Sequence, residues 1–327
     1  MISNKTQKIV VLGMGGTIAG LASDPNKPKE YKAGALGVAD LIKRLHLSDA
    51  IEIQVQNVAQ INSKDMRVEN WQALLSAVQA ATHDPQTHAV LITHGTDTLE
   101  ESAYLLDAMG PWPKPVVFTC AMLPANAPDA DGPGNLKDAI EWASRVAIEG
   151  VYVVCAGEVH LAHDAQKITT ESVEAFTSGP SGSFASKEGQ QWQIHRQPPT
   201  HTSQPKRPNL AYVLKQAKWP RVEMVTNHAL NDGAVVRALL ATSDTEESPL
   251  AGIVLAGTGM GTASQGLEQA LQQAVGQGVK VWLSSRCIFG LAHAQPNTTW
   301  GHITPLSAAK ARTALCLELL AERENQL

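Results

Sequence analysis

The chain has 327 residues, more than a single hydrophobic core usually serves, so the sequence favours two domains. Hydrophobic residues make up 43% of the sequence and charged residues 17%, which argues against a disordered or a membrane-embedded protein. The net charge of -5, without a cluster of basic residues, argues against nucleic acid and anionic membrane surfaces as partners.

The first part of the chain alternates short apolar runs with helical patterns, which is typical of βαβ units. Several of the predicted strands are continuously apolar, as expected for parallel strands that are covered by helices on both faces. The predicted strands are 9–12, 51–58, 89–93, 116–118 and 151–154. The predicted helices include 36–45, 71–81 and 99–109, and a further apolar helical face is formed by Leu136, Ala139, Ile140 and Ala143.

The composition then changes. The segment 187–210 is rich in Gln, His, Lys and Pro and has little periodic pattern, which predicts an interdomain linker. After it the alternation resumes, with strands at 222–226, 252–255 and 279–283 and helices at 235–240, 267–275 and 308–320. We therefore predict an α/β protein with a parallel-rich, doubly wound sheet in residues 1–186 and a smaller, flavodoxin-like α/β domain in residues 211–327.

The amino-terminal residues and the cysteines both favour the cytoplasm. A polar stretch leads into an apolar run that is too short for a signal peptide. The cysteines lack the paired spacing of a zinc site or a disulfide framework, so we expect buried free thiols in a reducing compartment. They are Cys120, Cys155, Cys287 and Cys316.

The loops that follow the predicted strands are the candidate functional segments, because open parallel sheets bind ligands beyond the carboxyl ends of their strands. The first of these loops is Gly-rich and spans 13–20. It lacks the dinucleotide fingerprint, since Ile18 stands where a glycine is required, and it does not end in the Gly-Lys-Ser/Thr of a phosphate-binding loop. What remains is either a simple turn or a loop that presents the Thr17 hydroxyl to a small ligand.

The loop after the predicted strand 89–93 carries more polar groups than a turn needs. Thr98 and Glu101 predict a capping box at the start of a helix. One cap is sufficient, so Thr96 and Asp97 are left for another purpose. Backbone N–H groups at a helix start stabilise an anion or a developing oxyanion.

Two motifs, Gly-Gly-Thr-Ile-Ala at 15–19 and His-Gly-Thr-Asp-Thr at 94–98, together resemble the bacterial-type asparaginase and glutaminase-asparaginase family. The resemblance extends over the whole chain. It implies an amidohydrolase that needs no cofactor and releases ammonia from the side-chain amide of L-asparagine through a threonine acyl-enzyme. It also implies a homotetramer, a dimer of dimers, with sites between the amino domain of one subunit and the carboxyl domain of another.

The same resemblance assigns catalytic roles to single positions of this sequence. Thr17 matches the threonine nucleophile, and Tyr31, in the following flap loop, matches the tyrosine that helps activate it. Thr96 matches the second threonine, and Lys167 matches the lysine beside it. Asp97 matches the aspartate that holds the substrate's amino group. Because an aliphatic hydroxyl is a weak nucleophile, a nearby base is the partner that this chemistry requires.

The remaining matches concern the substrate's charged end. Ser63 matches the residue that binds the substrate carboxylate, and Lys64 stands where the family often has a glutamine; a cation there favours a carboxylate and repels an ammonium. Thr262 replaces an asparagine that many relatives direct to a neighbouring subunit. The chain also has no acidic residue between Glu268 and Glu318, where the family commonly supplies a glutamate that supports the flap tyrosine.

The sequence leaves three alternatives to an asparaginase. Glutamine or a related amide is the alternative substrate, and the departures from the family pattern also admit an amino-acid-binding homologue with low turnover. A cofactor-dependent oxidoreductase is disfavoured because the glycine fingerprint fails. His160, His163 and Asp164 imitate a metal cluster, but their spacing lacks a metal-binding pattern, so we expect no metal site.

Overall fold

The protein was analysed as a computed structural model that describes residues 6–45, 47–146, 148–197, 207–243, 248–293 and 300–326. The chain divides into two compact units, Met1–Thr200 and His201–Leu327. The predicted two-domain α/β architecture is confirmed, and each unit is described by itself below.

The first unit contains an eight-stranded sheet and two short hairpins. Its strands are β1 (Gln7–Gly15), β2 (Leu21–Ala22), β3 (Tyr31–Lys32), β4 (Ile51–Ile61), β5 (Thr87–Thr93), β6 (Val116–Thr119), β7 (Val151–Cys155), β8 (Glu158–Leu161), β9 (Gln166–Lys167), β10 (Phe176–Thr177), β11 (Ala185–Glu188) and β12 (Gln191–Ile194). Its helices are α1 (Val38–Ile42), α2 (Val68–His83), α3 (Leu99–Met109) and α4 (Gly132–Arg145).

The strand order in the large sheet is β12-β11-β8-β7-β6-β5-β1-β4. The neighbours from β4 to β7 are parallel, and the edge beyond β7 is antiparallel. The apolar face of α4, including Leu136 and Ile140, packs into one core with Ile9 of β1 and Leu91 of β5. This arrangement confirms the predicted parallel-rich sheet and places the exits of β1, β5 and β6 at one edge.

The predicted linker begins too early. Residues 187–194, assigned to it from their polar composition, contribute to β11 and β12, which pair with each other and extend the sheet from β8. The strands are polar because they lie at the exposed edge of the sheet, and their anchor is an edge-to-face contact between Trp192 and Trp142, with ring centroids 5.4 Å apart. Residues 198–206 of the predicted linker lie outside the described residues.

The second unit is a parallel sheet with the order β13-β14-β15-β16. Its strands are β13 (Arg221–Thr226), β14 (Leu250–Gly257), β15 (Lys280–Ser285) and β16 (His302–Ile303), and its helices are α5 (Leu210–Val213), α6 (Ala234–Ser243), α7 (Gln265–Gly276) and α8 (Ala308–Glu324). Within the described parts of both units, no helix is long and apolar enough to cross a membrane.

The turn between β7 and β8 offers a test of local backbone strain. Its two residues, Ala156 and Gly157, both have positive φ, 50° and 74°. Alanine is disfavoured there, whereas Asn-Gly is the preferred pair for such a hairpin. We expect Ala156→Asn to raise the thermal unfolding midpoint by about 2 °C.

The matched control for this turn is Gly157→Ala. An added Cβ at Gly157 meets only the Lys187 Cβ, at 3.9 Å, so backbone strain rather than crowding should lower the midpoint. An unchanged midpoint in both variants, measured by circular dichroism, would contradict the interpretation of strain at this turn.

Candidate active site

The first candidate loop leaves β1 through two glycines. Gly15 and Gly16 have φ of 95° and 79°, a region that favours glycine. A Cβ added at Gly16 would lie 2.3 Å from the Cα of Gly95, so the two loops touch through their backbones. Thr17 follows directly, at the start of a short 3-10 helix, and is 7% exposed. The glycines therefore bring Thr17 against the loop after β5.

Ser63 completes the contact between these loops. A Cβ added at Gly95 would lie 2.6 Å from the Ser63 Oγ, and Gly16 N–H donates to the Ile61 carbonyl at 2.9 Å. The loops after β1, β4 and β5 thus meet at one point, and they carry Thr17, Ser63 and Thr96, which are all buried.

The predicted capping box at α3 is wrong. Thr98 makes no capping hydrogen bond; its Oγ1 donates to the Ser63 carbonyl at 2.8 Å instead. The hydroxyl is used between loops because the Ser63 carbonyl lies within its reach. Thr98 therefore fixes the loop that carries Ser63 to the loop that carries Thr96 and Asp97.

Tyr31 reaches Thr17 from the flap hairpin formed by β2 and β3. The phenol oxygen of Tyr31 lies 2.7 Å from Thr17 Oγ1, and either atom can be the donor. The Tyr31 ring lies close to Gly20, where an added Cβ would be 2.7 Å from Cδ2. Gly34 N–H also donates to the Gly16 carbonyl at 3.0 Å, which attaches the end of the flap to the same loop.

Lys167 forms a second polar cluster with the loop after β5. Its Nζ donates to Thr96 Oγ1 at 2.8 Å and to Asp97 Oδ1 at 2.7 Å. Its backbone N–H donates to the Glu100 carboxylate at 2.7 Å, and Glu100 is buried in the first turn of α3. The main chain and the side chain of Lys167 are therefore both attached to this segment.

The residues matched to the substrate's charged end have different environments. Ser63 is 3% exposed, whereas the Lys64 side chain is largely exposed, and its Nζ lies 3.5 Å from the Asp65 carboxylate. Thr262 lies in the second unit, where its Oγ1 donates to the Thr258 carbonyl at 3.0 Å. The Lys64 charge is thus partly balanced by its sequence neighbour.

The residues that imitate a metal cluster have separate contacts. His160 Nδ1 lies 2.9 Å from the Ser178 hydroxyl, and Asp164 pairs with Arg196. Among the residues for which the structure gives positions, no group of three or more His, Cys, Asp or Glu side chains is arranged to hold a metal ion.

His94 is buried at the exit of β5 and should make stability depend on pH. Its Nδ1 donates to the Gly95 carbonyl at 2.8 Å, and its Nε2 has no hydrogen-bond partner among the described residues. Burial disfavours the charged ring and lowers the pKa of His94 from 6.5 to about 4. The unfolded chain therefore binds the proton first as the pH falls. Stability should decrease from pH 6.5 downwards, by up to about 3 kcal/mol near pH 4.

The measurement for His94 is the free energy of unfolding at pH 7 and pH 4.5 in wild type, His94→Gln and His83→Gln. The exposed His83 is the control. The pH slope should become smaller only in His94→Gln, and an equal slope in all three proteins would contradict the assignment to His94.

Comparisons with known proteins agree with the fold and the motifs. The family profile described as "Asparaginase, N-terminal" matches residues 8–200, and that of the "Glutaminase/Asparaginase C-terminal domain" matches residues 221–326. The "Probable L-asparaginase periplasmic" of Haemophilus influenzae is 32% identical over 98% of this chain and 90% of its own length. L-asparaginase 2 of Escherichia coli is 32% identical over 97% of this chain and 90% of its own length.

A third relative and a solved structure extend the comparison. The "Glutaminase-asparaginase" of Pseudomonas fluorescens is 31% identical over 86% of this chain and 76% of its own length. The crystal structure of a "Probable Cytoplasmic L-asparaginase" from Campylobacter jejuni superposes with a TM-score of 0.84, at 28% identity over 98% of both chains. The chain belongs to the asparaginase family, and it is an amidohydrolase of the asparaginase type.

The structure also reveals polar residues that the sequence analysis missed. Glu100 holds the backbone of Lys167, and Asn126 hydrogen-bonds the flap. Asn126 lies in the loop after β6, at the same sheet edge as the other candidate loops. Its position after the predicted strand 116–118 is the sequence signal that points to it.

Proposed function

We propose that the protein hydrolyses the side-chain amide of L-asparagine to L-aspartate and ammonia, with Thr17 as the nucleophile. The observation that carries the proposal is the 2.7 Å hydrogen bond between Thr17 Oγ1 and the Tyr31 phenol. A buried hydroxyl in contact with a proton acceptor is the arrangement that an activated alcohol nucleophile requires.

In the first half of the reaction, Thr17 Oγ1 attacks the amide carbon. The Tyr31 oxygen accepts the Thr17 proton, and the Tyr31 hydroxyl proton passes to the leaving nitrogen, so the tyrosine is neutral before and after the step. The carbon–nitrogen bond breaks, ammonia leaves, and the acyl group remains on Thr17 as an ester. Proton transfer of this kind contributes about 10² to 10⁴ in rate.

Thr96 and Lys167 are suited to the second half. An ammonium has only donors, so Thr96 Oγ1 accepts from Lys167 and its own proton remains available to the oxyanion that forms on the ester carbon. Water adds to the ester carbon, the ester bond breaks, and Thr17 recovers its hydroxyl proton. Asp97 shares Lys167 through Oδ1, and its carboxylate is half exposed, as suits a residue that holds a substrate ammonium.

Glutamine is the second candidate substrate. It is favoured by the similarity to the glutaminase-asparaginase of Pseudomonas fluorescens and by the C-terminal family match. Asparagine and glutamine differ by one methylene, and discrimination of that size in a pocket is about 10- to 200-fold. We assign Ser63 and Lys64 to the end of either substrate that carries the α-carboxylate. The Ser63 hydroxyl and the Lys64 ammonium would face that carboxylate.

The experiment is to measure ammonia release from asparagine and from glutamine, with hydroxylamine added as a competing nucleophile. We expect turnover of asparagine and formation of the hydroxamate, which reports the acyl-enzyme. Amino-acid binding by thermal stabilisation without ammonia release would overturn the enzyme proposal in favour of a binding homologue. Ammonia release without hydroxamate would overturn the ester intermediate alone.

We propose further that the protein acts in the cytoplasm as a homotetramer built as a dimer of dimers. The four cysteines are free, which suits a reducing compartment; three of them are buried as predicted, whereas Cys287 is exposed, so the prediction of a buried thiol is wrong at that position. Light scattering tests the assembly, and a monomer at micromolar concentration would contradict it. Fractionation of the native host tests the compartment.

A further inference from the structure

We propose that Asn126 is a positioning residue that holds the flap hairpin, and with it the Tyr31 phenol, in its place on Thr17. The inference rests on the proposed function for its catalytic consequence. The attachment of the flap itself depends only on contacts within the first unit.

The Asn126 side chain binds the flap with both of its polar atoms. Oδ1 accepts a hydrogen bond from Ala22 N–H at 2.8 Å, and Nδ2 donates to the Ala22 carbonyl at 2.8 Å. A primary amide has its donor and acceptor side by side, so it pairs with one residue's N–H and C=O as a neighbouring strand would. The Asn126 side chain therefore makes the same pair of hydrogen bonds to Ala22 that the backbone of a neighbouring strand would make.

The bound residue lies directly across the hairpin from the tyrosine. Ala22 of β2 pairs with Tyr31 of β3 in the antiparallel register. Ala125 N–H also donates to the Gly20 carbonyl at 2.9 Å, and Gly20 lies beneath the Tyr31 ring. The loop that follows β6 thus fixes the start of the flap at two successive points, and the hairpin carries this restraint to the phenol.

The loop that carries Asn126 is itself held firmly. The Asp131 carboxylate accepts hydrogen bonds from Met122 N–H and Leu123 N–H, both at 2.9 Å. Asn135 donates to Asp131 at 3.1 Å and to the Cys120 carbonyl at 3.0 Å. The anchor for the flap is therefore built on the end of β6 and the start of α4.

The flap has a second contact, an exposed ion pair, which holds it less strongly than the Asn126 hydrogen bonds. Lys29 pairs with Glu171 at 2.6 Å, but the two side chains are 82% and 72% exposed. Exposed ion pairs of this type contribute little, because water and salt screen them. We therefore assign the holding of the closed flap to Asn126, and the ion pair provides the matched comparison.

The first readout is tryptic cleavage of the flap in the full-length protein, mapped by mass spectrometry at Lys29 and Lys32. Cleavage after Lys32, a residue of β3, requires local opening of the hairpin, so it is the cleavage that reports the flap. We expect Asn126→Ala to accelerate it about tenfold, Asn126→Asp to have an intermediate effect because it keeps only the acceptor, and Glu171→Gln to leave the rate within about twofold.

The second readout is kinetic. Asn126→Ala should lower kcat about tenfold with asparagine, because the phenol is no longer held, and should add little to the loss in Tyr31→Phe. Equal cleavage of the flap in wild type, Asn126→Ala and Asn126→Asp would overturn the proposal, as would fully additive kinetic losses. Faster cleavage in a protein that releases no ammonia would support the attachment and reject the proposed function instead.

Discussion

Thr17→Val should abolish amide hydrolysis while the protein remains folded. Valine has nearly the shape of threonine, so it fills the same buried space between the loops after β1 and β5. The only group removed is the hydroxyl whose oxygen lies 2.7 Å from the Tyr31 phenol. Loss of the nucleophile in a hydrolase that forms an acyl-enzyme lowers kcat by about 10⁴ or more.

Thr17→Ser is the matched control for this prediction, because it restores a hydroxyl without the methyl group. It should retain measurable turnover and hydroxamate formation, whereas Thr17→Val should show neither at equal protein concentration. Circular dichroism should show the same fold in both variants. Ammonia release by Thr17→Val at the wild-type rate would exclude Thr17 as the nucleophile.

Lys167→Met should lower kcat by about 10³. Methionine keeps the length of the side chain but removes the ammonium that donates to Thr96 and Asp97. In the proposed mechanism Thr96 then lacks the donor that orients its hydroxyl, and the Asp97 carboxylate loses its hydrogen-bond partner. Because Asp97 is half exposed, water can replace the ammonium, so the loss of stability should be small.

Lys187→Met is the matched control for Lys167→Met. Lys187 is also a largely buried lysine of the first unit, with the Asp138 and Glu141 carboxylates as its partners. Its replacement should lower the unfolding midpoint and leave kcat unchanged. Equal losses of activity in both lysine variants would mean that Lys167 acts through stability, and the catalytic assignment would fail.

The secondary structure was predictable wherever burial determines the residue pattern. The β1 and β5 strands are continuously apolar because helices cover both faces of the sheet, and the α4 face is apolar because it packs on them. The β11 and β12 hairpin was missed for the opposite reason. Its strands lie at the edge, where water satisfies polar side chains, and a composition of Lys, Gln and Glu resembles that of a linker.

The candidate site was predictable only in part. The two motifs identified Thr17, Thr96 and Asp97 through their resemblance to the family, and the structure shows that their glycines lie where two backbones approach within contact distance. The sequence did not reveal that the Thr98 hydroxyl would bind the Ser63 carbonyl instead of capping α3. A hydroxyl at the start of a helix can accept a hydrogen bond from a local backbone N–H or donate one to a distant carbonyl, and only the folded chain decides which geometry it adopts.

By itself, then, the sequence determined the α/β class, the succession of strands and helices, and the loops that carry hydroxyls. These features depend on hydrophobic periodicity and on local sterics, and both can be read from residues that are neighbours in the sequence. The family resemblance paired Tyr31 with Thr17 and Lys167 with Thr96, and the tertiary structure supplied the distances of these contacts. The tertiary structure alone decided that Lys167 also reaches Asp97 and that Asn126 holds the flap. Each of these contacts joins separate loops, whose approach depends on the packing of the whole sheet edge.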